Sequence, residues 1–314
     1  MNIMKTTWLT AREGIDRAKA NLSRTVAVDV GNTAYKFGFF NSPRLDAARA
    51  AGEPFSYPFS IDDLSLLPHQ LKVIPIWLSI FLRKQEQRSR PLFWLVSSVN
   101  ELRTRDLFTF LQKKRPNDIF AVLDHYDVPI KTNYTVPNQL GIDRALAALA
   151  ASALFSEPTA VLIADIGTAV KFDLIDSSGT FLGGAILPGP ETELCSLFKG
   201  TDMLPELHWT PRDIRKSYPA VNTNDAIRLG VAGGIVGSLC YFYKKALLVV
   251  KQPQLPIIIT GGGAVGLEPF VRKGFTEILP DASGVWMCTV RDLVLSGIEL
   301  SRQSFVFRQL MITN

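Results

Sequence analysis

With 314 residues, 47% apolar and 20% charged, the chain is long enough for two domains with their own cores and has the ordinary composition of a soluble globular protein. Its formal charge of +5 is spread along the sequence without a basic cluster interleaved with aromatics, which argues against nucleic acid as a partner. Three scattered cysteines (Cys195, Cys240, Cys288) and three histidines (His69, His125, His208) form neither a disulfide frame nor a zinc spacing; the cysteines read as reduced core thiols of a cytoplasmic protein.

Residues 1–24 form an N-terminal extension. Glu13 and Asp16 interrupt it, so it is not read as a signal peptide, while Trp8, Ala11, Ile15, Ala18 and Leu22 fall at helical spacing. An apolar run from Thr25 to Val30 then ends in Asp29-Val30-Gly31-Asn32-Thr33 and restarts from Ala34 to Phe40. The Pro- and Ser-rich stretch from Asn41 to Pro68 reads as variable, and a helix is expected from Gln70 to Gln87. Pro91 to Val99 is continuously apolar, the mark of a strand buried on both faces. Thr104 to Lys114 reads as a helix and Ile119 to Leu123 as a strand. Gly141 opens an Ala-rich helix, Ile142 to Phe155, with Pro158 just past its end.

The pattern restarts at Thr159. Val161 to Ala164 leads into Asp165-Ile166-Gly167-Thr168-Ala169 and on to Ile175; a third strand covers Thr180 to Leu187, and Pro188-Gly189-Pro190 is read as a turn. Thr223 to Lys245 reads as a helix in which Gly230, Gly233, Gly234 and Gly237 permit close packing. Its apolar part, Val231 to Tyr243, falls short of the ~18 residues of a membrane span, so no membrane is expected. Leu255 to Ile259 is a strand ending in Thr260-Gly261-Gly262-Gly263, and a last helix is placed at Thr289 to Arg302. Strand-strand-strand-helix-strand-helix, given twice, predicts an α/β fold made by duplication, with domains at 25–155 and 156–314.

The two acidic-glycine turns carry the functional signal. Their continuations also match, Ala34-Tyr35-Lys36-Phe37 against Ala169-Val170-Lys171-Phe172. At such a tip the glycine lets a phosphate come close, the small amide or hydroxyl side chain donates to it, and the aspartate can hold a cation. Two such hairpins facing each other would grip a nucleoside triphosphate from both sides. Each residue also has a plainer reading. Asp29 and Asp165 can cap their own turns, Lys36 can be a solvated strand-edge charge, and Asp143 and Arg144 can be a first-turn acid and a surface cation at a helix start. Thr223, just before a helix, would make a good N-cap.

Asp29-x-Gly31-Asn32-Thr33-x-x-Lys36, Gly141-x-Asp143-Arg144 and Asp165-x-Gly167-Thr168-Ala169 occur in that order. They are followed by Gly183 to Gly189, Leu197 to Thr201, and Asn222-Thr223. In these motifs the sequence resembles the type III pantothenate kinases, a branch of the acetate kinase/Hsp70/actin superfamily, from about Thr25 to about Ser301. The resemblance implies two duplicated actin-like, ribonuclease H-like domains with a cleft between them. It implies ATP-dependent phosphorylation of pantothenate to 4′-phosphopantothenate, the first step of coenzyme A biosynthesis, by a homodimer.

The resemblance also assigns residues. Asp29, Val30, Gly31, Asn32, Thr33, Ala34, Tyr35, Lys36 and Thr168 would bind ATP, with Asp29 holding its magnesium. Asp143 would accept the proton of the substrate hydroxyl, and Tyr134, Gly141, Ile142, Asp143, Arg144 and Thr223 would bind pantothenate, Thr223 across the dimer interface. Asp165 would bind a monovalent cation, potassium or ammonium. The chain departs from the family at Lys171, where a Thr is usual, and in its N-terminal extension. Another small-molecule kinase or phosphohydrolase of the superfamily, or a non-catalytic accessory factor for gene expression, are the alternative functions.

Overall fold

The computed structural model describes residues 25–41, 60–66, 92–210, 218–264, 266–291 and 293–312. The extension 1–24 and the helix expected over 70–87 lie outside them. The described residues divide into two compact units, the first drawn from 1–130, 135–156 and 292–314, the second from 131–134 and 157–291.

The first unit holds a five-stranded sheet of order β3-β2-β1-β4-β5. Here β1 (Thr25–Val30) and β2 (Tyr35–Asn41) form an antiparallel hairpin, and β3 (Ser60–Leu66) extends it antiparallel. On the other side β4 (Phe93–Ser98) and β5 (Ile119–Val122) add in parallel. The second unit repeats this plan with β6 (Val161–Ile166), β7 (Ala169–Ile175), β8 (Phe181–Pro188), β9 (Ile257–Thr260) and β10 (Met287–Thr289), in the order β10-β9-β6-β7-β8. The sense of every pairing is the same in both sheets. The duplication read in the sequence is therefore strand for strand. Central strands β1 and β6 are covered on both faces, which is why they are apolar runs and do not alternate.

Helices α1 (Glu101–Lys114), α2 (Ile142–Ala153) and α6 (Leu293–Ile312) belong to the first unit; α3 (Pro190–Gly200), α4 (Thr223–Val250) and α5 (Glu268–Ile278) belong to the second. The placement of α6 corrects the boundary drawn from sequence, which gave everything after 155 to one domain. Its Gly297 touches α2 so closely that a Cβ there would fall 2.2 Å from the Leu146 carbonyl. Leu293, Ile298 and Phe305 are buried, Phe305 against Phe93. Four elements escaped the sequence reading. Strand β3 lies in the stretch taken as variable, because Ser-Ile-Asp-Asp-Leu-Ser-Leu lacks clean alternation and is recruited by its edge partner β2. Pro190 starts α3 where a turn was read, at the first helical position that proline favours. Helix α5 and the three-residue β10 were not seen. Cys195 is exposed on α3 and is not a core thiol, whereas Cys240 is buried.

Helix α4 runs five residues beyond the expected end. It is long and apolar enough to cross a membrane by length and composition, with an 18-residue window of mean hydropathy 1.4, more than the sequence reading allowed. Its Val231, Ile235, Val236, Leu239 and Tyr243 are buried in the core of the second unit beside Leu162, Phe172 and Phe275.

In the first unit one carboxylate organises the junction of α1, β4 and β5. Asp118 is buried and takes both Arg115 Nε and Nη2 at 2.9 Å, Trp94 Nε1 at 2.8 Å and the Leu92 amide at 3.0 Å. Trp94 is fully buried. Removing this acceptor leaves a buried guanidinium and indole N–H without it, so Asp118→Ala is expected to cost about 3–5 kcal/mol. Urea unfolding measures this; a loss below about 1 kcal/mol, the worth of an exposed pair, would show the network to be incidental.

Candidate active site

The first hairpin turn is formed by Gly31–Ala34, closed by a hydrogen bond from the Gly31 amide to the Ala34 carbonyl at 3.0 Å. Asp29 sits in β1 directly across from Lys36 in β2, with Nζ 3.7 Å from Oδ2. Val30 and Tyr35 are buried, so they offer the turn only their main chain, while Asn32 and Thr33 are exposed. A Cβ on Gly31 would meet the Ala34 carbonyl at 3.3 Å, tighter than most such contacts.

The second hairpin repeats the pair across its strands. Asp165 lies opposite Lys171, and Lys171 Nζ donates to Asp165 Oδ2 at 2.8 Å. The turn is shorter, with the Gly167 amide bonded to the Ala169 carbonyl. Two glycines that are distant in sequence press against it. A Cβ on Gly189 would fall 2.0 Å from the Gly167 carbonyl. Gly261, at φ +94, would bring one 2.3 Å from the Ile166 carbonyl and 2.5 Å from Asp165 Oδ1. The triple-glycine turn thus has a reason within its own chain, whatever it offers a nucleotide. Thr168 is exposed, and its carbonyl accepts from the Gly189 amide at 2.9 Å and Thr192 Oγ1 at 2.7 Å. Gly189 and Thr192 are the residues here that sequence reasoning passed over; the Pro188-Gly189-Pro190 flank was their signal.

Helix α2 begins at Gly141, whose φ of −55 and ψ of 132 suit any residue. A Cβ there would lie 2.7 Å from Asp143 Oδ1, so a larger residue would displace that carboxylate. The carboxylate is folded back over the helix start. Ile142 and Arg144 flank it and are buried, Arg144 at 6% exposure, which removes the surface-cation reading. Tyr134 belongs to a short segment of the second unit that pairs with the start of β8, and its ring stacks on Phe181 with centroids 5.7 Å apart.

Thr223 is the first residue of α4, but it is not the cap. Asn222 is, its side chain accepting from the Asp225 amide at 3.0 Å. The Thr223 side chain lines a cavity of about 650 Å³ between α3 and α4, together with Glu193, Leu197, Leu204, Ile227 and Gly230. Burial pushes the Glu193 carboxyl upward. Nearby, Glu191 takes His208 Nδ1 at 2.8 Å and the Trp209 amide at 2.6 Å; the bond to Glu191 raises the His208 pKa. No group of three or more His, Cys, Asp or Glu side chains able to hold a metal occurs among the described residues.

The sequence model of the type III pantothenate kinases matches residues 25–245, which contain both hairpins, the α2 start and Thr223. The chain belongs to this family. Relatives in it include the type III pantothenate kinase of Rhodopirellula baltica, 30% identical over 246 residues, 76% of this chain and 88% of that one. That of Alkalilimnicola ehrlichii is 28% identical over 280 residues, 88% of this chain and 97% of the other. Among solved structures, a propionate kinase from Francisella tularensis superposes with a TM-score of 0.50 at 10% identity over 88% of this chain and 98% of its own. An acetate kinase from Porphyromonas gingivalis gives 0.50 at 11% over 90% of this chain and 100% of its own. These likenesses show that the chain shares the fold of these acetate and propionate kinases. Family members are phosphotransferases that use ATP with a divalent metal and a small-molecule substrate.

The start of α2 gives a separable test. Gly141→Ala suits the backbone but displaces the Asp143 carboxylate, so turnover is expected to fall at least about tenfold while the thermal midpoint barely moves. Steady-state kinetics and thermal unfolding read the two. Unchanged turnover would show that the carboxylate position is not used.

Proposed function

We propose that this chain transfers the γ-phosphate of ATP to the hydroxyl of pantothenate, forming 4′-phosphopantothenate, with Asp143 as the residue that orients that hydroxyl and takes its proton. The observation that carries this reading is the start of α2. There a glycine makes room for a carboxylate, and a buried arginine follows it. Pantothenate has the two groups this arrangement suits, a hydroxyl for Asp143 and a carboxylate for Arg144, whose guanidinium can hold it with two parallel hydrogen bonds. Phosphoryl transfer through a loose transition state needs an oriented hydroxyl and charge stabilisation more than a strong base. Gly141, Ile142 and Tyr134 are assigned to pantothenate with them, as the family resemblance implies; within its own unit Tyr134 is fixed by its stack on Phe181.

ATP is assigned to Asp29 through Lys36 and to Thr168. The bare turn offers main-chain N–H groups to the phosphates, Asn32 and Thr33 add side-chain donors, and Lys36 neutralises charge developing on the transferred group. Asp29 would hold the magnesium that accompanies the triphosphate, and that ion would supply the remaining neutralisation.

The monovalent cation expected at Asp165 does not fit this chain as well as it fits the resemblance. Asp165 Oδ2 already holds the Lys171 ammonium at 2.8 Å. We assign that ammonium the place of the ion. Turnover is then expected to be flat across a potassium series in sodium- and ammonium-free buffer, and to become potassium-dependent in Lys171→Thr. Equal potassium curves for the two forms would reject the assignment.

The active form is assigned as a homodimer in the cytoplasm, with neither nucleic acid nor membrane as partner. Gly230, Gly233, Gly234 and Gly237 are exposed on α4, and a Cβ on any of them would meet nothing within 4 Å. Packing among the described residues does not call for glycine there, although each costs the helix roughly 1 kcal/mol relative to alanine. Exposed Tyr241, Leu248 and Val249 continue the helix beyond them. Close approach of a second copy accounts for this surface and would bring the partner's copy of Thr223 to the substrate.

The catalytic assignment is tested by Asp143→Asn. Turnover is expected to drop roughly 100-fold or more with the circular dichroism spectrum intact. Near-normal turnover would return Asp143 to the role of a helix-start acid.

A further inference from the structure

The first hairpin turn is gripped from outside by the β4–α1 connection. Arg103, in the first turn of α1, donates from Nη1 to the Gly31 carbonyl at 3.0 Å. Asn100, the N-cap of α1, works with both ends of its amide. Oδ1 accepts from the Arg103 amide at 3.1 Å, and Nδ2 donates to Asn32 Oδ1 at 3.2 Å. The Val99 amide donates to the Val30 carbonyl at 3.1 Å. Behind the turn, the Tyr35 hydroxyl donates to the Arg103 carbonyl at 3.0 Å. Burial, and then the charge of Asp106, raise the Tyr35 pKa to about 12 against the opposing effect of Arg103, so this hydroxyl stays a neutral donor. The connection is itself knitted: the Asn100 amide donates to Ser98 Oγ at 3.0 Å, and Thr104 Oγ1 donates to the Asn100 carbonyl at 2.9 Å.

The consequence follows from peptide geometry. In a trans peptide the carbonyl and the N–H point in opposite directions. With the Gly31 carbonyl turned toward Arg103, the Asn32 main-chain N–H is turned away from it. With Asn32 Oδ1 held by Asn100, the Asn32 Nδ2 is the end left to donate, on a residue that is exposed. A neutral turn gripped in this way presents two N–H donors of one residue to an anion, with a guanidinium charge behind them. Neither Arg103 nor Asn100 lies in the acidic-glycine motif.

We propose that Arg103 and Asn100 are positioning residues for ATP: they lock the Gly31–Ala34 turn in its phosphate-binding form by fixing the Gly31–Asn32 peptide and the Asn32 side-chain amide. The inference rests on the reading that ATP binds this hairpin. Asn100→Asp is the sharpest probe. Aspartate caps a helix as well as asparagine does, so α1 keeps its cap, but the donor facing Asn32 Oδ1 becomes an acceptor. Arg103→Met removes the guanidinium while keeping much of the side-chain length, and Arg103→Lys restores a donor and a charge.

The full-length wild type and each variant are titrated with magnesium-ATP by calorimetry, alongside KM for both substrates and the thermal midpoint. Asn100→Asp and Arg103→Met are each expected to weaken ATP binding about tenfold, with KM for pantothenate and the midpoint unchanged, and Arg103→Lys to recover part of the loss. Wild-type affinity in both Asn100→Asp and Arg103→Met overturns the inference and leaves the ATP reading standing. A parallel loss of ATP binding, pantothenate binding and thermal midpoint also overturns it, because the residues would then only hold the fold. A wild-type protein that binds no ATP brings down the hairpin reading and this inference with it.

Discussion

In both sheets a lysine faces, across one strand pair, the aspartate at the end of the hairpin's first strand: Asp29 faces Lys36, and Asp165 faces Lys171. That register is the constraint on which the rest depends. Strand side chains alternate, so a slip of one residue would turn each aspartate or lysine to the opposite face. The carboxylates sit at or near burial, and a charge in that position needs a partner. The two pairs are not equivalent. The gap is 3.7 Å at the first hairpin, whose turn spans four residues between paired positions, and 2.8 Å at the second, whose turn spans three. The longer turn goes with the looser pair and the shorter turn with the tighter one.

Backbone crossings hold the surroundings in place. Gly189 and Gly261 bring two separate loops onto the end of β6, and Gly297 seats α6 on α2, each at a distance that no Cβ would permit. These glycines are required by the chain's own packing. At Gly141 a Cβ would displace only a side chain, the Asp143 carboxylate. Among the described residues, a Cβ on the α4 glycines would meet neither crossing backbone nor side chain.

The sequence showed most clearly what the chain needs locally. The paired Asp-x-Gly turns, the uninterrupted apolar runs of β1, β4 and β6, and the glycine before Asp143 each announce a local physical demand, and the duplicated order of strands followed from them. Long-range contacts were hidden. Strand β3 exists because β2 offers it an edge, and its own residues say little. Helix α6 joins the first unit with Gly297 against Leu146 and Phe305 against Phe93, contacts that no pattern along the sequence reveals. Arg103 and Asn100 precede the helix start read at Thr104 and drew no notice in the sequence; only the fold brings them to Gly31 and Asn32. Lys171 stood out as a departure in sequence, but its partner Asp165 came from strand register.

The central claim is chemical, and mass spectrometry of the product tests it most directly. Purified protein with magnesium-ATP and pantothenate, beside a panel of other hydroxy acids, is predicted to yield pantothenate carrying one added phosphate, with one ADP released per product and little product from the rest of the panel. ATP consumption without a phosphorylated pantothenate, or preferential phosphorylation of another hydroxy acid, would contradict the account.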